Sequence, residues 1–200
     1  MQEVRAKFII LRKIRFSEAD LIIHGLSVKG GKHSFIAKAA LKSKRRFGGG
    51  VLEPGHYVEF GFNLKKLNAM HVLTDARLIA DLGNNKKSIE QLEFMLKVLE
   101  LVGKIAQEGD ENSEYLFNLV GHCLRAIENS TPEQVPLVKL GFYLKLLYQQ
   151  GVLEFEPWMK PVLQVDLKSI LQNAETVDKE IERLDGIEQM VEHYADNAGI

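Results

Sequence analysis

Alternation of apolar and polar residues governs the first eighty positions and then gives way to a longer period. Residues 3 to 14, from Glu3 to Ile14, are β-branched and apolar enough to form a strand, which Arg12, Lys13 and Arg15 close with positive charge. Leu21 to Val28 reads as a second strand. The Lys29-Gly30-Gly31-Lys32 stretch predicts a tight hairpin, because paired glycines supply the positive φ that two-residue turns need. His33 to Ala40 returns with Phe35, Ala37 and Ala39 on one face. After a turn at Glu53-Pro54-Gly55, Val58, Phe60 and Phe62 alternate with Tyr57, Glu59 and Gly61 over His56 to Leu64. A fifth strand, His71 to Ala80, sets Val72, Thr74, Ala76 and Leu78 against outward His71, Asp75 and Arg77.

The helical period begins at Ser88. Ser88 and Gln91 make a capping box, and Ile89, Leu92, Met95, Leu99, Val102 and Ile105 mark one face of a helix of about five turns. Ser113 starts a second helix with Leu116, Val120, Cys123 and Ile127 in its stripe. Thr131, Pro132 and Gln134 open a third, which Gly151 ends. Residues 151 to 165 read as irregular, a helix follows near Asp166 to Leu171, and a final helix runs from about Glu175 to Tyr194. The expected fold is therefore α+β: a five-stranded OB-fold β-barrel over residues 1–80, with a long connection after its third strand, and an all-α helical domain over residues 81–200 packed onto it. The boundary is expected near Asp81 to Asn85.

Charge sharpens this division. Residues 1–80 hold 15 Lys and Arg against 6 Asp and Glu, a balance of +9, while residues 81–200 hold 11 against 21, a balance of −10, so the net charge of −1 is a cancellation. A basic domain of this kind suits nucleic acid or acidic lipid. Its most concentrated part is Lys38 to Phe47, where Lys38, Lys42, Lys44, Arg45 and Arg46 fall within ten residues without an acid and run into Gly48, Gly49 and Gly50. The blander reading is a solvated loop. In a barrel that binds single strands, lysine and arginine track phosphates while aromatics stack on bases, and Phe16, Phe47 and Tyr57 are the candidate platforms once Phe35, Phe60 and Phe62 are assigned to the core.

Little else carries chemistry. The single cysteine, Cys123, excludes an internal disulfide and a cysteine-rich zinc site, and suits a reducing compartment. No apolar run has the length of a membrane span, which points to a cytoplasmic protein. The six histidines have no metal-ligand spacing, the Gly25 to His33 stretch fails the phosphate-loop pattern, and no nucleophile with a base or carboxylate pair can be assembled. The expectation is no enzyme, no cofactor and no metal. In the acidic half, Arg125, Lys139 and Lys145 beside Phe142 suggest a groove for an acidic, apolar peptide; packed helices with snorkelling lysines are the competing account.

Several of these features together resemble the RecO family of recombination mediators. The matching residues are Ile10-Leu11-Arg12, Phe16-Ser17-Glu18-Ala19-Asp20, the Lys29 to Lys32 hairpin, Ala37-Lys38-Ala39-Ala40, the Lys42 to Arg46 run, Phe47-Gly48-Gly49 and Leu52-Glu53-Pro54. The resemblance implies an OB-fold that binds single- and double-stranded DNA, annealing of complementary strands, and help in loading a recombinase. It also implies RecR and the C-terminal tail of single-strand-binding protein as partners, in the cytoplasm at the nucleoid. On this basis the expected DNA-contacting set is Arg12, Lys13, Arg15, Lys29, Lys32, Lys38, Lys42, Lys44, Arg45, Arg46 and Phe47, and the expected tail-binding set is Arg125, Lys139, Phe142 and Lys145. Many family members carry a four-cysteine zinc module soon after the position of Gly151, where this chain has Leu153 to Pro161 and no cysteine, so zinc is not carried over. A protein-interaction adaptor with a degenerate barrel is the alternative.

Overall fold

The computed structural model describes residues 3–64, 70–82, 88–110 and 113–198, and in it the chain forms two compact units. One comprises Met1–Asn85 with Ala106–Asn118, the other Lys86–Ile105 with Leu119–Ile200. Residues 83–85 of the expected boundary lie outside the described residues.

In the first unit, β1 (Glu3–Arg15), β2 (Leu21–Ser27), β3 (Gly30–Ala37), β4 (His56–Asn63) and β5 (His71–Asp81) follow the order β2-β1-β4-β5-β3, and β3 pairs back to β2. The sheet is thus closed. All its pairings are antiparallel except that of β3 with β5, where Phe35 lies opposite His71. This is the five-stranded OB-fold barrel, in which closure removes the edges that an open sheet would expose. A short β6 (Glu108–Asp110) adds to the start of β3 at Gly30 and Gly31. Gly31 has φ +65, and a Cβ there would stand 2.1 Å from the Gln107 carbonyl oxygen, so no other residue allows this contact. The Ser113 hydroxyl accepts the Gly31 amide at 3.0 Å and lies 3.0 Å from the Val28 carbonyl, fixing the hairpin tip.

Inside the barrel, Phe8, Ile10, Ile23, Phe35, Val58, Phe60, Phe62 and Leu73 are buried together. The Phe8 ring meets Phe35 edge-on at 5.0 Å and stacks on Phe60 at 5.3 Å. Two bulges break the simple alternation expected for the fifth strand. Thr74 is the extra residue between the Gly61–Asp75 and Phe62–Leu73 pairs, and Ile79 between Tyr57–Ala80 and Val58–Leu78. Leu73 and Ala76 therefore face the core, whereas Leu78, expected inside, is 43% exposed.

The second unit contains α1 (Ile89–Ile105), the greater part of α2 (Glu114–Asn129), α3 (Val135–Gln149), α4 (Met159–Gln164), α5 (Ala174–Asp178) and α6 (Leu184–Asn197). The Ser88 box forms as expected, with the Ser88 amide on Gln91 Oε1 at 2.8 Å and the Gln91 amide on Ser88 Oγ at 3.2 Å. Gln91 does more than cap. Its side-chain Nε2 donates to the Ile127 and Ser130 carbonyls at 2.8 and 2.7 Å, so the first turn of α1 buries Gln91 while Ile89 and Leu92 stay exposed. From Met95 onward the expected stripe is buried. The final helix is broken: α5 ends at Asp178, a 3-10 turn spans Ile181–Arg183, and only then does α6 begin. No helix among the described residues is long and apolar enough to cross a membrane.

Candidate nucleic-acid interface

The connection from β3 to β4 turns back at Ala39, whose φ of +54 leads into a 3-10 turn over Ala40–Lys42. Local hydrogen bonds hold it in place. Asp20 Oδ1 accepts the Ala39 amide at 2.8 Å, Ala19 O accepts the Leu41 amide at 3.0 Å, and the Ala76 amide of β5 donates to Arg46 O at 3.2 Å. Arg46 spends its guanidinium on the loop itself, donating to Lys38 O at 2.9 Å and Ser43 Oγ at 3.3 Å while lying over the Phe47 ring at 5.2 Å. Ala40, Phe47, Val51 and Leu52 then drop into the barrel core and fill its end.

Phe47 is consequently not a stacking platform. It is 6% exposed and belongs to the core cluster, which corrects its assignment to the DNA-contacting set: a ring packed against Leu and Val side chains has no free face for a base. Phe16, outside that set, is the phenylalanine of this unit that stands in solvent, at 58% exposure. It follows Arg15 in the β1–β2 turn, where its amide donates to Asp20 O at 3.0 Å. It is one of the three candidate platforms named from the sequence, and it lies between Arg15 and Ser17, off any strand alternation. Tyr57 is half-buried, with its ring 5.9 Å from Phe117.

The cations divide by what they already touch. Lys38, Lys42, Lys44 and Arg45 are exposed, and none of the four has a carboxylate partner among the described residues. Lys13 is paired with Glu53, and the Arg15 guanidinium reaches the Ser17 and Glu18 carbonyls at 3.4 and 3.5 Å. Arg12 and Lys32 share the outer face of β1–β2–β3 with His24, since Arg12 pairs with His24 and Lys32 with the next-but-one residue, Leu26. Burial, helped by the positive charges of Lys32 and Arg12, pushes His24 below its ordinary value. Lys29 is apart from the rest: it precedes β3 and Lys38 follows it, so the two stand roughly 25 Å apart along eight strand residues. By contrast, the outer face of β1–β4–β5 is neutralised, with Arg5 on Asp75 at 2.8 Å and Arg77 on Glu59 at 3.2 Å. Among the described residues of the first eighty, most of the cations without a carboxylate partner in the barrel therefore lie on the outer face of β1–β2–β3 and on the loop after β3, with Lys29 apart from them.

The expected peptide groove of the second unit takes a different form. Phe142 is fully buried, its ring 6.2 Å edge-on from Phe94 and 5.8 Å from Tyr143, so it is corrected from a recognition residue to a core residue. Lys139 lies with its ammonium 5.6 Å over the Phe94 ring. Lys145 is half-buried and donates to the Leu163 carbonyl, and burial lowers its pKa. Both lysines are occupied in packing. Arg125 remains exposed on α2. Cys123 is fully buried and its thiol pushed well up by that burial, which leaves it inert rather than reactive. Among the described residues no cluster of three or more His, Cys, Asp or Glu could hold a metal ion.

Comparison with known proteins agrees with this architecture. Residues 1–82 match the family described as Recombination protein O N terminal. The chain is 28% identical over 149 residues to the DNA repair protein RecO of Maridesulfovibrio salexigens, covering 74% of this chain and 59% of that protein. It is 27% identical over 149 residues to the RecO protein of Alkaliphilus metalliredigens, covering 74% and 58%, and 29% identical over 130 residues to that of Desulfosudis oleivorans, covering 64% and 49%. The matched stretch thus spans less than three-fifths of these relatives' length. The closed barrel and the loop after β3 agree with these similarities, which make residues 1–82 similar to the N-terminal region of RecO proteins.

Proposed function

We propose that the chain serves DNA repair and recombination as a non-enzymatic binding protein, holding single- and double-stranded DNA at the basic end of its barrel and annealing complementary strands. The observation that carries this reading is the group of Lys38, Lys42, Lys44 and Arg45, exposed and without carboxylate partners among the described residues, on a loop pinned to β5 and to the β1–β2 turn. Holding four like charges together on an ordered loop costs self-repulsion, which a polyanion would relieve. Phosphate contacts of this kind neutralise a strand without engaging its base edges, so two coated strands no longer repel and can still pair. Phe16 supplies an exposed ring for sequence-tolerant stacking beside them. Arg12, Lys32 and Lys29 extend the path across the outer face of β2 and β3.

Recombinase loading, RecR and the tail of single-strand-binding protein belong to the same proposal as partners of the acidic half. Phe142 is buried there, so a tail would engage Arg125 and other exposed groups. The test is a titration of the full chain with a fluorescent oligothymidylate at two salt concentrations. Binding that weakens steeply with salt, together with faster annealing of complementary strands, is the expected result. Salt-independent or absent binding would favour the adaptor reading, and turnover of the DNA would revive an enzyme.

A further inference from the structure

Beneath the basic loop lies a cleft of about 260 Å3, open to solvent, with Lys13, Lys44 and Glu53 at its mouth and the glycines of residues 48–50 along one side. Leu21, Ala40, Leu41 and Leu52 also line it, and the 6%-exposed Phe47 contributes only the small part of its ring that is not packed in the core. We propose that this cleft takes one unpaired nucleobase of a bound single strand, with the adjoining phosphate held by Lys44 and the Gly49–Gly50 backbone. The inference rests on the DNA-binding reading above and adds a site for the base itself.

Three observations converge on that ligand. The first is size: small-molecule pockets run from roughly 300 Å3 upward for drug-sized ligands, so a cleft just below that range suits a single planar base rather than two stacked ones. The second is the chemistry of the walls. Apolar side chains line the interior, as they do where proteins hold a base out of its stack, and the paired Lys13 and Glu53 at the mouth offer a donor and an acceptor together. Every base edge carries both kinds of group, so this pair does not select among bases. It does select unpaired ones, because in a duplex that edge is already occupied.

The third observation concerns the phosphate. Gly49 and Gly50 both have φ of +70, and a Cβ at Gly49 would meet nothing within 4 Å, so the backbone here faces open space that a ligand can approach. Residues 49–52 form a turn, one of the conformations in which successive backbone amides gather into anion-binding concavities. Lys44, exposed and without a carboxylate partner among the described residues, adds the charge. An apolar peptide side chain would use the walls but leave Lys44 and the glycine backbone unmatched, which is why a nucleotide is the better occupant.

The test compares a ten-residue oligothymidylate with a ten-residue abasic strand of the same phosphate number, bound to the full chain and to Phe16→Ala, Leu41→Trp and Leu41→Ser variants. Leu41 is 52% exposed at the rim, so tryptophan blocks the mouth and serine removes the wall without disturbing the core. The expected result is a preference for the strand with bases that falls in Phe16→Ala by the share of its one stacked base yet stays at about tenfold, and that falls by about tenfold in both Leu41 variants, with the salt dependence unchanged throughout. Equal affinity for the two strands, or a preference lost only in Phe16→Ala, would overturn the cleft and leave phosphate binding standing. Absence of binding to either strand would overturn the DNA-binding reading and the cleft with it. Circular dichroism on each variant confirms folding, and since the two Leu41 changes act by opposite means, loss in only one of them also overturns the assignment.

Discussion

Phe47 and Phe16 allow stability and DNA binding to be separated by two single substitutions. Phe47→Ala removes a ring that is 94% buried among Ala40, Val51 and Leu52 and lies under Arg46. A buried aromatic takes ~150–250 Å2 out of water, which at ~25 cal/mol per Å2 corresponds to roughly 4–6 kcal/mol as an upper figure. Truncations of this kind measure about 3–5 kcal/mol. Phe16→Ala removes a ring more than half in solvent, so its effect on stability should stay within about 0.5 kcal/mol. On DNA the order reverses: losing one stacked base costs about 1–3 kcal/mol of binding, which falls on Phe16→Ala. Urea denaturation followed by circular dichroism gives the first quantity, and titration of an oligothymidylate at fixed salt under native conditions gives the second. The reasoning is refuted if Phe47→Ala keeps its denaturation midpoint while losing DNA, or if Phe16→Ala unfolds the barrel and leaves affinity unchanged.

Other outcomes follow from the same contacts. Burial holds His33 and His71 below their ordinary value of 6.5, their rings being 5.7 Å apart, and the charge of His71 adds to the preference of His33 for neutrality. Their unfolded forms bind protons first, so this stability is complete above about pH 6.5 and lost as pH falls toward the folded values; melting temperature should drop over that interval, less steeply in His33→Gln. Gln91→Leu strands the Ser130 carbonyl and takes one donor from the Ile127 carbonyl, which keeps the Ser130 hydroxyl and amide, and should cost about 1–3 kcal/mol in chemical denaturation, whereas Gln91→Glu should cost at least as much because it removes the donors and adds a buried charge. A chelator should leave the melting curve unchanged and elemental analysis should return no stoichiometric zinc; one zinc per chain would contradict the reading of Cys123 as a packed apolar residue.

How far the sequence could be read depended on whether a residue's place follows from its neighbours in the chain. Strands β1, β2 and β4 were legible to within a residue or two, β1 and β2 from their β-branched and apolar composition and β4 from the alternation of Val58, Phe60 and Phe62. The fifth strand was legible in extent but not in register, since a bulge adds one residue and nothing in the composition of Leu73-Thr74-Asp75 announces it. Capping at Ser88 and Thr131 is local chemistry and was visible; the Thr131 amide does lie 3.0 Å from Gln134 Oε1. The burial of Gln91 was not, because it depends on carbonyls thirty-six and thirty-nine residues away.

At the candidate interface the same distinction holds. The basic run was plain from charge alone, whereas the fate of Phe47 depended on Ala39 turning the chain back so that Phe47, Val51 and Leu52 close the barrel. Phe142 was misread for a similar reason. Its spacing from Lys139 and Lys145 puts all three on one side of α3, but α3 is buried nearly all round, with Leu140, Phe142, Tyr143 and Leu144 all inaccessible. A helix without a polar face gives no sequence cue to which side meets a partner.

The account's central claim is that the loop from Lys38 to Arg46 tracks phosphates, and the slope of log affinity against log salt measures this directly. Each phosphate contact on a single strand contributes about 0.7 to that slope, so replacing the exposed Lys42, Lys44 and Arg45 by Ala should lower it by roughly 2. A matching triple, Lys160→Ala, Lys168→Ala and Lys179→Ala, removes three exposed charges from the acidic half and alters net charge by the same amount. The first variant should lose both slope and annealing rate, and the second should keep most of both. Equal losses in the two would contradict the claim, since the loop would then act only through the protein's total charge.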